Sequence, residues 1–162
     1  MIVDTTNPTS VAAAAAWVMK SHGHAVIGTA DPSGTPWAIP VNRAYDFDGR
    51  VTWKSRTDAR HSQYLALNPH ASVVIFSSHA TEGDAALYME GPVEIITDTS
   101  ELELTVKMRY EQAGKPVPPI SDFQFDAPDR VYRLTPTSVW ITEQTHTKTL
   151  VDPKLFVAAL GG

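Results

Sequence analysis

Lys54, Ser55, Arg60 and His61 fall within WKSRTDARHSQYLALNP, residues 53–69, and together present three basic side chains and a hydroxyl. That set suits a phosphate: arginine offers a forked pair of donors, lysine a point charge, and serine a small donor. Residues 51–55 alternate as a strand should. Asp58 then opens an amphipathic helix carrying Tyr64, Leu65 and Leu67, and Asn68-Pro69 stops it. The four side chains therefore gather at a strand end and a helix N-terminus, where free backbone N–H groups and the positive end of the dipole favour an anion. Two considerations pull the other way. A strand-to-helix turn is ordinarily solvated, and the Asp58 carboxylate competes for the same positive potential.

The elements that must position these residues belong to one domain spanning residues 1–162, a length at which about 70% of the unfolded surface is buried on folding. Hydrophobic residues make up 43% and charged residues 19%, an ordinary globular balance that excludes disorder as the main state. The net charge of −5, with no basic stripe, argues against nucleic acid or an anionic membrane as partner. With no cysteine, disulfides, thiolate metal sites and a cysteine nucleophile are excluded. The N-terminal MIVDTTNPTS lacks a positive leader region, and the alanine-rich run after it is too short and too weakly hydrophobic to span a bilayer. A cytoplasmic protein is the expectation.

Thr9 or Ser10 caps a first helix over 11–21, which Gly23 ends. Strands follow at 24–30, 35–45 and 51–55, separated by the turns DPSG and DFDG, connections too short for anything but an antiparallel meander. After the short helix come a buried strand at 71–78 and a long one at 85–97, which Gly91-Pro92 interrupts as an edge, bulge or bend. Ser100 caps a helix over 101–112, with Glu103 and Lys107 spaced for an i,i+4 pair and Gly114 as its stop. Residues 115–128 are proline-rich and irregular, a lid or partner-contacting loop. Strands at 130–134 and 138–142 follow, 145–150 supplies a third, and Asp152-Pro153 opens a final helix to Leu160. The sum is an α+β, mainly β fold: an antiparallel barrel of six to seven strands with peripheral helices, or else an open α+β sheet.

This order of elements resembles the pyridoxamine 5′-phosphate oxidase-like superfamily of FMN-binding split barrels. GTADPSGTPWAIPVN resembles the family's opening strand pair, and DARHSQYLALNP its phosphate-binding helix; the similarity covers residues 10–98, with weaker support from 131–142. The resemblance implies that Ser55 and Arg60 bond the FMN phosphate, and that Val41, Asn42 and Arg43 line the isoalloxazine. His61 falls where the oxidases usually carry lysine, so a cationic role there requires protonation; otherwise it donates as a neutral ring. Lys54 stands where an aromatic is common and supplies a charge. The resemblance further implies a homodimer with the flavin at the subunit interface. A glutamine that reaches the flavin in the true oxidases corresponds to Ala86, and their C-terminal tryptophan and arginine motif is not recognisable around SVWIT, although Trp140 is placed to cover a flavin edge. The expectation is an FMN-binding oxidoreductase of unassigned substrate, not a pyridoxamine phosphate oxidase proper.

With FMN bound the flavin carries hydride or electron transfer, so no catalytic acid or base is assigned. Two alternatives stand beside it: a relative using a deazaflavin coenzyme, and a non-catalytic module that binds flavin or haem. Trp37, Trp53, Tyr88 and Trp140 are candidate flavin-lining aromatics, with core packing the plainer reading for Trp53 and Tyr88. No metal site is expected. His22 and His24 flank a helix end, and Asp46 and Asp48 read as hairpin turn residues. Ser77, Ser78 and His79 superficially pair a nucleophile with a base but lack a placed carboxylate partner.

Overall fold

A computed structural model describes residues 3–77, 85–142 and 147–162. The chain runs α1 (Pro8–Ser21), β1 (His24–Ala30), β2 (Pro36–Tyr45), β3 (Val51–Arg56), α2 (Arg60–Leu67), β4 (His70–Phe76) and β5 (Ala86–Ile95). It continues through α3 (Thr99–Gln112), a 3-10 turn (Ile120–Phe123), β6 (Asp129–Leu134), β7 (Ser138–Thr142), β8 (Lys148–Leu150) and α4 (Pro153–Gly161). Strands β4, β1, β2, β3, β6 and β5 follow one another, and β5 pairs back on β4, so six antiparallel strands close a barrel. The ring has the six strands that a barrel of six to seven allows, and β7 and β8 extend the sheet outside it. The Ser78 and His79 of the sequence reading, and Thr145 and His146, lie outside the described residues.

Closure depends on β5 serving three neighbours. Its residues Ala86 to Glu90 pair with both β4 and β7, while Val93 to Ile95 pair with β6. The switch falls at Gly91-Pro92, so the proline does not interrupt the strand but marks its corner. A Cβ on Gly91 would lie 2.1 Å from the Thr135 carbonyl oxygen, which is why the corner requires glycine. The barrel's core face is built of alternate residues such as Ile27, Trp53, Val73 and Leu87, each essentially inaccessible to solvent, and Ile141 of β7 extends that buried cluster. The alanine face of α1 packs against this core, and α4 packs on α1.

Helix starts differ from expectation for local reasons. Asn7 caps α1, its Oδ1 accepting from the Thr9 and Ser10 amides at 3.0 and 3.4 Å, because Pro8 with its fixed φ suits the first helical position. Asp98 rather than Ser100 caps α3 through the Glu101 amide at 2.9 Å. Lys107 pairs with Glu111, not Glu103. Asp58 does not open α2: Arg56 grips both its oxygens at 2.8 and 2.7 Å, and the helix starts at Arg60. Among the described residues no helix is long and apolar enough to cross a membrane.

Replacing Gly91 with alanine drives a Cβ into backbone on the neighbouring segment, and is expected to cost about 3 kcal/mol, the upper end for overpacking. Urea denaturation of Gly91→Ala against the parent measures it; an unchanged midpoint would refute the corner's role.

Candidate functional site

The site is a consequence of strand pairing. β2 pairs with β1 from Pro36 to Asn42, but with β3 only through Arg43, Ala44 and Tyr45. β3 meanwhile pairs with β6 along its full length, including Lys54, Ser55 and Arg56. β2 and β3 therefore diverge beyond Arg43, and the wedge between them opens a cavity of about 450 Å³. Ligand sites commonly occupy about 300–1,000 Å³. The start of α2 and the last turn of α3 close its sides.

Six of the eight residues singled out from the sequence line this cavity: Val41, Asn42 and Arg43 from β2, Lys54 and Ser55 from β3, and His61 from α2. The other two lie elsewhere. Arg60 is stacked over the Trp37 ring, 4.4 Å from its centroid. Trp140 is half-buried on β7, in register with Tyr88 on one side and Leu150 on the other. Trp53 is a core residue, stacked on Tyr132 at 5.8 Å, and does not line the cavity.

The electrostatics are one-sided. Arg43, Lys54, Arg109 and Lys115 line the wedge, and no carboxylate is among its described lining residues. Arg43 is buried and donates to the Met19 and His22 carbonyls, which end α1. Those carbonyls are the negative end of a helix, a natural seat for a cation. Arg109 is equally buried and donates to the Thr52 carbonyl, to Thr52 Oγ1 at 3.2 Å and to the Asn42 carbonyl at 3.4 Å. It thereby bridges β3 to β2 across their divergence. Burial lowers both guanidinium pKa values to about 10, so both remain charged at neutral pH. Neither Nε finds a partner among the described residues. Lys54 is held by Asp129 at 2.8 Å.

Ser55 Oγ and His61 Nε2 are 2.6 Å apart, while His61 Nδ1 is buried without a partner. Burial pushes the His61 pKa below its ordinary value, so the ring is neutral at neutral pH and adds no charge of its own. Gln112 fixes the adjoining end of α3: its side chain donates to the Tyr45 carbonyl at 2.7 Å and accepts from the Tyr45 amide at 3.2 Å, as a neighbouring strand would.

Arg109 is the residue that sequence reasoning missed. The signal was present, because Arg109 continues the spacing of Leu102, Thr105 and Val106, the stripe that α3 buries. A cation on an apolar stripe has to be paid attention by its surroundings, and here carbonyls and an open cavity surround it. Elsewhere, His22 caps α1 and meets Trp17 edge-on, Asp46 and Asp48 pair with Arg50 in their turn, and no metal-binding group of three occurs among the described residues.

Fold and cleft together define a split β-barrel with a cationic pocket between its diverging strands. The chain belongs to the pyridoxamine 5′-phosphate oxidase-like split-barrel family, whose model, described as pyridoxamine 5′-phosphate oxidase, matches residues 12–143. Among solved structures it is similar to a haem-binding protein from Mycobacterium smegmatis (TM-score 0.72, 19% identity, covering 91% of this chain and 60% of that one). It is also similar to HutZ, the haem storage protein of Vibrio cholerae (0.59, 17%, 81% and 94%), and to an F420 reductase (0.57, 16%, 76% and 93%). At such identities the likeness is one of fold, and the chain spans less than two thirds of the mycobacterial protein. No curated protein matches the sequence.

Protonating His61 in the ligand-free protein favours the unfolded state, where the imidazole regains its ordinary pKa of 6.5. Stability is therefore expected to fall as pH drops through and below 6.5, because the unfolded chain then binds more protons. His61→Gln should flatten that slope in urea titrations at pH 5 to 8; an unaltered slope would mean His61 is not the group responsible. Ser55→Ala removes the imidazole's partner and is expected to cost about 1–3 kcal/mol at pH 8.

Proposed function

We propose that the cleft holds FMN by its phosphate and that the protein is a flavin-dependent oxidoreductase. The observation that carries this reading is the cavity's lining: four cations, no carboxylate among the described residues, and unpartnered nitrogens on Arg43, Arg109 and His61. Buried guanidiniums left without a counter-charge are stabilised by an anion that enters beside them. Ser55 adds a hydroxyl, and the start of α2 carries the amides that a helix N-terminus leaves without intrahelical partners. Lys54 and Ser55 would hold the phosphate, with Arg60 brought in from its place over Trp37. Ile39, Val41 and Asn42 would meet the flat ring system, since the cavity-side edge of β2 is not paired with β3 there.

Bound FMN supplies hydride or single-electron transfer. The chain's own part is to anchor the phosphate, to present β2 to the ring and to exclude water with the last turn of α3. A substrate other than pyridoxamine phosphate is proposed, on Ala86 in place of the glutamine implied by the family resemblance. A deazaflavin coenzyme would also use the phosphate anchor, and titration separates the two. Haem through a histidine is less well supported in this cleft, since His61 Nε2 is engaged by Ser55 and Nδ1 is enclosed.

A homodimer is proposed as well, and one surface supports it. Pro40, Val26, Val74, Tyr88, Trp140 and Leu150 are register partners on six successive strands, none is fully buried, and they form an apolar row across the outside of the barrel. A second copy would cover this row, bringing Trp140 into an interface.

Titrating the apoprotein with FMN, FAD and the deazaflavin coenzyme under absorbance and fluorescence tests the reading; failure of all three to bind would refute it. Arg109→Met is expected to weaken FMN by about 1.5–3 kcal/mol, roughly 10- to 150-fold in Kd. Val74→Glu is expected to convert a dimer to monomer in sedimentation experiments, and a parent protein that sediments as a monomer would overturn the dimer.

A further inference from the structure

We propose that occupation of the cleft by a phosphate-bearing cofactor is coupled to the uptake of one proton by His61, so that the pocket gains a further cation only when the phosphate arrives. The proposal rests on the reading of the cleft as a phosphate-anchored flavin site and extends it to a specific residue.

His61 sits in the first turn of α2 at 2% exposure, with Nε2 on Ser55 and Nδ1 enclosed. The charged groups that share its pocket are Arg43 from β2, Lys54 from β3, Arg109 from α3, and Lys115 beyond that helix; Tyr110 is the other titratable side chain there. On its own element, Arg60 lies over Trp37. The nearby carboxylates are committed: Asp129 of β6 to Lys54, and Asp58 in the preceding turn to Arg56. Burial holds the His61 pKa below its ordinary value, so the imidazole of the ligand-free protein is neutral, and among the described residues the charged groups that line its pocket are all cations. A dianionic phosphate bonded to Ser55, whose Oγ is 2.6 Å from Nε2, would set negative charge beside the ring. An opposite charge within about 4–6 Å shifts a pKa by about 1–3 units toward the charged form.

The proton comes from solvent and the phosphate stays a dianion, so the net change is one proton bound per ligand. Hydrogen bonding follows the same logic. A protonated ring donates from Nε2 to Ser55 Oγ, which leaves the Ser55 hydroxyl hydrogen free for a phosphate oxygen. A lysine at this position would carry its charge permanently and add to the repulsion within the empty pocket. Histidine adds charge only on binding, and makes affinity depend on pH: between the free and bound pKa values it falls up to about tenfold per unit as pH rises.

Calorimetric titration of the whole protein with FMN at pH 7.5, in buffers of differing ionisation enthalpy, counts the protons; the phosphate's own second pKa, about 6, lies below this pH. Uptake of a measurable fraction of one proton, growing toward one as the pH is lowered toward 7, is expected for the parent with FMN, and none with riboflavin, which has no phosphate. His61→Gln should abolish the uptake, and His61→Lys should bind FMN with a nearly flat pH profile above 7. Imidazole ¹⁵N shifts of the unaltered protein, with and without FMN, report the same protonation without any variant. FMN binding with no uptake, or uptake that survives in His61→Gln, would overturn the proposal and leave the flavin reading standing. Failure of FMN to bind would overturn both.

Discussion

Arg109 sits at the fork where β2 and β3 part. Thr52 is still paired with Ala44, Asn42 is the first β2 residue past the last β2–β3 pair, and a single guanidinium from α3 bonds both carbonyls at that fork. Taking a guanidinium out of water is costly, and among the described residues no carboxylate offsets it here. The fork is therefore tied by a group whose charge, among the described residues, is satisfied only by dipoles. Arg43 repeats the arrangement from the other wall, where the carbonyl end of α1 receives it. The positive potential of the cavity is thus a by-product of how the split is braced, and it is the property that suits the cavity to an anion.

The same bracing ties distant elements to the site. α1, whose small residues pack smoothly on the core, delivers its C-terminal carbonyls to Arg43. Gln112 imitates a strand against Tyr45 and fixes the end of α3 that carries Arg109 toward the pocket. Barrel closure through the Gly91-Pro92 corner keeps β6 against β3, and β6 supplies the Asp129 that restrains Lys54. Local chemistry and global topology converge on one wedge because β3 must satisfy β6 along its whole length while β2 must satisfy β1.

Strands, turns and the gathering of Lys54, Ser55 and His61 were legible because they rest on short-range rules. Alternation marked residues 24–30 and 51–55 closely, and Asn68-Pro69 ended α2 as expected. Helix starts were less legible, since several capping residues compete within three or four positions. The winner depends on contacts such as Arg56 gripping Asp58, which a propensity argument does not weigh. Gly91-Pro92 was legible as a feature but not as a corner, because its meaning lies in the switch of β5 between two partners.

The sequence by itself determined the mainly β architecture, the order of its elements, and the placing of Lys54, Ser55 and His61 at a strand end and helix start, because periodicity and turn chemistry act within a few residues. Only the tertiary structure decided that Val41, Asn42 and Arg43 face those residues across a wedge, that Arg60 lies over Trp37 instead, and that Arg109, far along the chain, completes the cationic lining. It also decided the charge of His61, since burial sets this imidazole's protonation and is not written in the spacing of the residues.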